Sequence, residues 1–173
     1  DEMARRGTPF AGLLYAGLAL TSRGTRVIEF NARFGDPETQ PLMALLDSPL
    51  SPLLLGAATG RLADVEPPRW KSGAAVAVVV ASAGYPESSS KGDVISGVEA
   101  AEALPGVHVI HAGTALGGPA GDDLVTAGGR VLAVIATGED IAGARASAYD
   151  GVNAIAFEGA QHRSDIALHS STV

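Results

Sequence analysis

The sequence predicts an α+β fold in two parts: a β-hairpin with two helices, then a small β-rich region with one packing helix. Three observations carry this. Residues 27–33 alternate apolar and polar side chains, and they follow an apolar run, 10–20, across the turn chemistry of Thr21-Ser22-Arg23-Gly24-Thr25. Asp64-Val65-Glu66-Pro67-Pro68-Arg69-Trp70 is charged and carries a Pro-Pro pair that resists regular structure. It marks a linker, 64–72, between regions 1–63 and 73–173. Beyond it the chain turns to short runs of valine and alanine of strand length.

Taken in order, residues 1–7 are a charged lead-in, the tail of a helix. The run 10–20, punctuated by Gly12 and Gly17, reads as a strand buried on both sides or closely approached, and 26–32 as its hairpin partner. Alternation in the second strand puts Ile28, Phe30 and Ala32 on one face and Glu29, Asn31 and Arg33 on the other. Asp36-Pro37-Glu38-Thr39 reads as a helix start, with Asp36 as cap, Pro37 at the first helical position and Glu38 in the positive first turn. The helix spans 37–46, with Leu42, Leu45 and Leu46 on one side, and Ser48-Pro49 ends it. A second helix, 52–62, turns Leu53, Leu54, Ala57, Ala58 and Leu62 inward. After the linker, 74–83 is a buried strand, 84–92 a loop tipped by Ser88-Ser89-Ser90, and 107–112 and 122–127 are strands. Gly128-Gly129 predicts a hairpin turn into strand 130–137. Thr137-Gly138-Glu139-Asp140 has capping-box spacing for a last helix, 140 to about 149.

Composition narrows the function classes. With 173 residues, 46% apolar and 18% charged, the chain can bury a core and is not a disordered segment. A net charge of −7 argues against nucleic acid, whose binding rests on clustered Lys and Arg against phosphates. No cysteine is present, so disulfide and thiolate chemistry are excluded, which fits the cytoplasm. The longest strongly apolar run, 74–83, falls short of the roughly 20 residues that a bilayer span needs. No basic-then-apolar leader opens the chain, and it begins with Asp1, so a part upstream is expected.

The residues with chemistry to offer lie on the second strand. A glutamate and an asparagine oxygen on one face are hard ligands of the kind Mg²⁺ accepts, its other positions being taken by water and phosphate. Arg33 adds a fork of donors that fits phosphate or carboxylate oxygens. A strand, a tight Arg33-Phe34-Gly35 connection and a helix start suit an anion such as a nucleoside triphosphate with its metal. The bland reading is a solvated strand face with a weak Glu–Arg pair. His108 and His111, three apart on a strand, point to opposite faces and suit a structural role better than a shared metal. The Gly-rich run 113–121 lacks the Lys-Ser/Thr ending of a phosphate loop and reads as a flexible hairpin connection.

The block Ile28-Glu29-Phe30-Asn31-Ala32-Arg33-Phe34-Gly35-Asp36-Pro37-Glu38-Thr39-Gln40, with Gly12-Leu13-Leu14-Tyr15-Ala16-Gly17-Leu18 before it, resembles the end of the ATP-grasp region of the phosphoribosylamine–glycine ligase (glycinamide ribonucleotide synthetase) family. The resemblance continues through Gly84-Tyr85-Pro86, Gly92-Asp93-Val94-Ile95, His111-Ala112-Gly113-Thr114, Gly128-Gly129-Arg130-Val131-Leu132, Ala148-Tyr149 and Arg163-Ser164-Asp165-Ile166, and so covers nearly the whole chain. It implies the last hairpin and helices of an ATP-grasp domain followed by a small β-rich C-terminal domain. It also implies an ATP-dependent ligase that joins glycine to 5-phosphoribosylamine through a glycyl phosphate. On that resemblance Glu29 and Asn31 are ligands of Mg²⁺ or Mn²⁺, and Arg33 stabilises the transferred phosphoryl group. Asp36 and Glu38 are weaker candidates for orienting the amine of glycine or phosphoribosylamine, and Arg163 and Asp165 are neighbours of the site. Two departures stand out. The strand before Glu29 has no acid to anchor a second metal, and nothing here resembles the nucleotide-gripping half, Lys71 and Lys91 being the only lysines. The resemblance thus implies an incomplete, inactive C-terminal piece whose partner is the N-terminal half of the same enzyme. Other carboxylate-activating ATP-grasp ligases share Glu29-x-Asn31-x-Arg33 but not the Phe34-to-Gln40 continuation; a non-enzymatic β-rich binding module is the remaining alternative.

Overall fold

The computed structural model describes residues 2–119 and 121–168. It is a mixture of short helices and small antiparallel sheets, as the α+β reading expects. The chain divides into two compact units: the residues up to Thr39 together with Leu46–Lys71, and Gln40–Leu45 together with the chain from Ser72 on.

The first unit opens with a one-turn helix, α1 (Glu2–Arg5), whose exposed Arg5 and Arg6 both bond Glu2. Strands β1 (Tyr15–Thr21) and β2 (Gly24–Asn31) then form a two-stranded antiparallel hairpin closed by Ser22-Arg23. Register runs Tyr15↔Asn31, Ala16↔Phe30, Gly17↔Glu29, then slips so that Leu18 faces Val27. The slip is a β-bulge, which leaves Ile28 without a partner and bends the strand. The first strand starts at Tyr15, not residue 10, and it is not buried on both sides: Leu18 and Leu20 are exposed, as are Ile28 and Phe30. A two-stranded ribbon has too few neighbours to bury an apolar face, whatever its composition.

After a turn at 36–38, α2 (Thr39–Leu45) begins two residues later than the Pro37 start expected from sequence. Asp36 lies in that turn, three residues before the helix. The Thr39 amide and hydroxyl both donate to the Gly35 carbonyl (3.1 and 2.6 Å), making a separate turn ahead of the helix. α3 (Ser51–Thr59) carries Pro52 in its first turn and ends at Gly60 in the left-handed conformation, whose amide reaches back to the Ala57 carbonyl. Only part of its expected inner face is covered: Gly56 is buried against Val65, but Leu54, Ala58 and Leu62 are exposed. Residues 62–64 form a 3₁₀ turn, and Leu46 bridges Trp70 in the same unit.

The second unit is built on a three-stranded antiparallel sheet in the order β3 (Ala74–Ala81), β7 (Arg130–Gly138), β4 (Val107–His111). The central strand β7 is apolar and buried from Val131 to Ala136, the pattern of a strand covered on both faces. Helix α5 (Ile141–Ala154) packs through Ala144, Ala148, Gly151 and Val152, spaced for one face and mostly small, so the helix lies close against Val107 and Val134. Its cap is Asp140, whose side chain accepts the Gly143 amide (2.7 Å). Thr137-Gly138 belongs instead to β7, so the expected capping box does not form. The helix also runs five residues beyond 149. A short helix α4 (Val98–Glu102), unanticipated from sequence, precedes β4.

Strand β6 (Asp123–Thr126) pairs with β5 (Thr114–Gly117) in a separate two-stranded sheet and not with β7. Gly128-Gly129 is thus a crossing between sheets rather than a hairpin turn. Gly113 and Gly128 touch there, and the ring of Tyr85 lies where a side chain on Gly129 would go. Within the Gly-rich run, Thr114–Gly117 is strand β5, paired antiparallel with β6. The loop 84–92 is pinned at Ser90, which donates to Asp93 (2.6 Å), whose carboxylate also takes the buried Thr126 hydroxyl (3.0 Å).

Candidate functional site

Directly opposed residues of an antiparallel pair share a face. The register of β1 and β2 therefore puts Tyr15, Gly17, Glu29 and Asn31 on one side and Ala16 and Phe30 on the other. Gly17 is buried beneath this face: a Cβ there would sit 3.1 Å from Glu29 Cγ and 3.6 Å from Tyr15 Cε1. The glutamate stem and the tyrosine ring thus both lean across the glycine. Glu29 is exposed and Asn31 half-buried, and among the described residues neither side chain is committed to a hydrogen bond.

Arg33 lies beyond the last strand residue, so the pleat does not aim it, and the expectation of three side chains in one row holds for Glu29 and Asn31 alone. Its Nη1 donates to the Phe34 carbonyl (3.1 Å). Electrostatics still tie it to the others. The Tyr15 phenol is held above its ordinary pKa first by its hydrogen bond to Glu38, then by burial and by the charges of Glu38 and Glu29, while Arg33 pulls it down. Both acids and the guanidinium act on one hydroxyl.

Tyr15 Oη donates to Glu38 Oε1 at 3.1 Å. Glu38 Oε2 is buried and has no hydrogen-bond partner among the described residues. Gly35, itself buried, makes room for that carboxylate: a Cβ at 35 would lie 3.0 Å from Glu38 Cδ and closer still to Oε2. Asp36 is exposed in the turn between them. Tyr15 is the site residue that sequence patterning misses, because only the register brings it opposite Asn31 and only the turn brings Glu38 to it.

Glu29 and Asn31 suit a divalent cation. Mg²⁺ takes one or two protein oxygens and leaves its other positions to water and phosphate. Among the described residues no three His, Asp or Glu side chains converge as a self-sufficient metal site. Arg163 and Asp165 lie in the second unit and form an exposed two-bond pair with each other (2.8 and 2.5 Å). The Arg163 carbonyl accepts the Tyr149 hydroxyl (2.6 Å), so this segment is a clasp onto α5. His108 is exposed, and His111 Nδ1 lies 3.1 Å from the Thr114 hydroxyl. Surface cavities of about 240 and 330 Å³ around Pro52, Asp64 and Val65 include none of the site residues.

Known proteins place this arrangement in a family. Residues 75–169 match the family model described as phosphoribosylglycinamide synthetase, C domain, and residues 1–39 match that of the ATP-grasp (A) domain of the same synthetase. The chain is 60% identical over 173 residues to a phosphoribosylamine–glycine ligase of Streptomyces coelicolor, covering 99% of this chain and 41% of that protein. It is 51% identical to the Mycobacterium bovis ligase of the same name, covering 98% and 38%. A crystal structure of phosphoribosylamine–glycine ligase from Thermotoga maritima superposes with a TM-score of 0.76 at 36% identity, over 95% of this chain and 39% of that one. The chain therefore spans about two fifths of the length of these relatives. With the C-domain match over more than half of its residues, this chain belongs to the phosphoribosylglycinamide synthetase family.

Proposed function

We propose that this chain is the C-terminal part of an ATP-dependent ligase that joins glycine to 5-phosphoribosylamine, giving glycinamide ribonucleotide, ADP and phosphate. The observation that carries the proposal is the hairpin face on which Glu29 and Asn31 stand uncommitted beside the Tyr15–Glu38 pair. The ligase names of the relatives support it. In this reading Glu29 and Asn31 hold Mg²⁺ or Mn²⁺, which when bound neutralises phosphate charge. A glycine carboxylate oxygen attacks the γ-phosphorus and the bond to the β-bridging oxygen breaks, releasing ADP. The amine of phosphoribosylamine then attacks the acyl carbon of glycyl phosphate, expels phosphate and loses a proton. Arg33 faces the transferred phosphoryl oxygens, where a guanidinium stabilises charge that shifts between them. Asp36 and Glu38 orient the amine groups. Positioning and electrostatics carry such a reaction, since each step moves negative charge among oxygens.

The lysines and glycine-rich loop that grip ATP belong, on this proposal, to the rest of the enzyme: region 1–63 has no lysine. Residues 1–63 then complete an ATP-grasp domain, 64–72 link, and 73–173 form the C-terminal domain. With that activity goes a cytoplasmic location; no helix among the described residues is long and apolar enough to cross a membrane. Glu29→Gln in the complete enzyme tests the proposal. Glycine-dependent ADP release and Mn²⁺ binding read by electron paramagnetic resonance should both be lost. The melting temperature should stay within about 1 °C, because an exposed side chain without a hydrogen bond contributes little to stability. Retained turnover with unchanged Mn²⁺ affinity would sink the metal assignment.

A further inference from the structure

Strand β3 is one edge of the three-stranded sheet, and the direction of its main-chain groups can be read from its neighbours. The Ser82 amide donates to Gly129 (2.9 Å), on the β7 side. Ala81 exchanges both main-chain bonds with Gln161 (2.8 and 3.0 Å), on the other side. Thr137, the register partner of Ala75, turns its amide to Gly106 (3.1 Å), on the β4 side of β7. Alternation along the strand then sends the N–H and C=O groups of Ala75, Ala77 and Val79 away from β7. Among the described residues these groups have no hydrogen-bond partner. Ala74–Ala81 also holds no charged residue and no proline, the devices that ordinarily blunt an edge. The opposite edge is blunted: β4 has five residues, and its Val107 amide is taken by the Leu104 carbonyl (3.2 Å).

We propose that the β3 edge pairs with the same edge of a second copy of this chain, antiparallel across a two-fold axis at Ala77, so that two sheets join into one. An antiparallel strand is its own complement. With Ala77 opposite the partner's Ala77, Ala75 faces the partner's Val79, and each pair exchanges both main-chain bonds. The register is limited at one end, because Gln161 already holds the outward groups of Ala81. The open stretch is therefore symmetric about Ala77. Side chains suit the approach: Ala75, Ala77 and Val79 are small and half-buried on one face, and Val76 and Val78 on the other are β-branched and pack well across strands. The proposal concerns the second unit and does not depend on the ligase reading.

The complete protein carrying this chain, followed by analytical ultracentrifugation, provides the test. It should sediment as a reversible dimer at micromolar concentration, and hydrogen exchange at Ala75, Ala77 and Val79 should slow as concentration rises. Ala77→Pro removes the amides on the axis and should weaken the dimer by about 10- to 100-fold, the scale of losing hydrogen bonds at the centre of the seam. The fold should survive, because that amide lies outside the β7 ladder. Val78→Pro takes an amide out of the ladder and should unfold the sheet. Ala77→Lys sets two ammonium groups opposite each other, which should weaken the dimer about fivefold and let added salt restore it. That variant decides if Ala77→Pro does not fold. A monomer at every concentration overturns the proposal, even one with protected edge amides, since another segment of the same protein then covers the edge. A dimer that neither Ala77 variant weakens overturns it as well.

Discussion

Two glycines in one helix offer a stability test whose sign follows from packing alone. In α5, Gly143 is exposed, and a Cβ there would meet only Asp140 Oδ1 at 3.4 Å. Gly151 is buried, and a Cβ there would lie 2.8 Å from both Val107 Cγ1 and Val134 Cγ1. Ordinary carbon contacts are about 3.5–4.0 Å, so each valine must yield by roughly 0.7 Å. Val107 is 2% exposed and Val134 is fully buried, which leaves neither an easy escape. Both Gly→Ala changes gain about 1 kcal/mol of helix propensity, so that term nearly cancels when the two variants are compared. What remains is overpacking, about 1–3 kcal/mol, and Gly151→Ala should be less stable than Gly143→Ala by that amount. Urea unfolding followed by far-UV circular dichroism, with hydrogen exchange of the β7 amides as a local check, measures the difference. Equal stabilities would mean that α5 does not sit against the sheet as closely as described.

Two further outcomes are expected. The Tyr15 phenol should titrate above the ordinary phenol range in the folded chain, read as the difference in tyrosinate absorbance between wild type and Tyr15→Phe, and Glu38→Gln should bring it down. Because the folded value lies above the unfolded one, the stabilisation is fully present below the unfolded phenol pKa. It is lost as pH rises through the folded value; a titration unmoved by Glu38→Gln would contradict the hydrogen bond. Asp140→Ala should cost about 1 kcal/mol in the same urea assay, the usual worth of an N-cap, while Glu139→Ala should leave stability within about 0.5 kcal/mol.

Legibility from sequence followed the range of the interaction that decides each feature. Alternation over 27–31 placed Glu29 and Asn31 on one face, because a strand's pleat is local. It failed at Arg33, where the strand has ended. Asp36-Pro37 has the composition of a helix start, yet the Gly35–Thr39 turn intervenes, and helix ends depend on competing local hydrogen bonds as much as on residue type. Gly128-Gly129 looked like a hairpin because turn chemistry carries no information about which strand a segment will pair with.

The sequence by itself determined the α+β class, the hairpin, the shared face of Glu29 and Asn31, and the family through the long Ile28-to-Gln40 block. Each is written in neighbouring residues. The tertiary structure alone decided that β7 runs between β3 and β4, that Arg163 pairs with Asp165, and that Tyr15 bonds Glu38. Those contacts join side chains whose approach depends on register and folding of the backbone. The Tyr15–Glu38 bond spans 23 residues, and no local pattern specifies it.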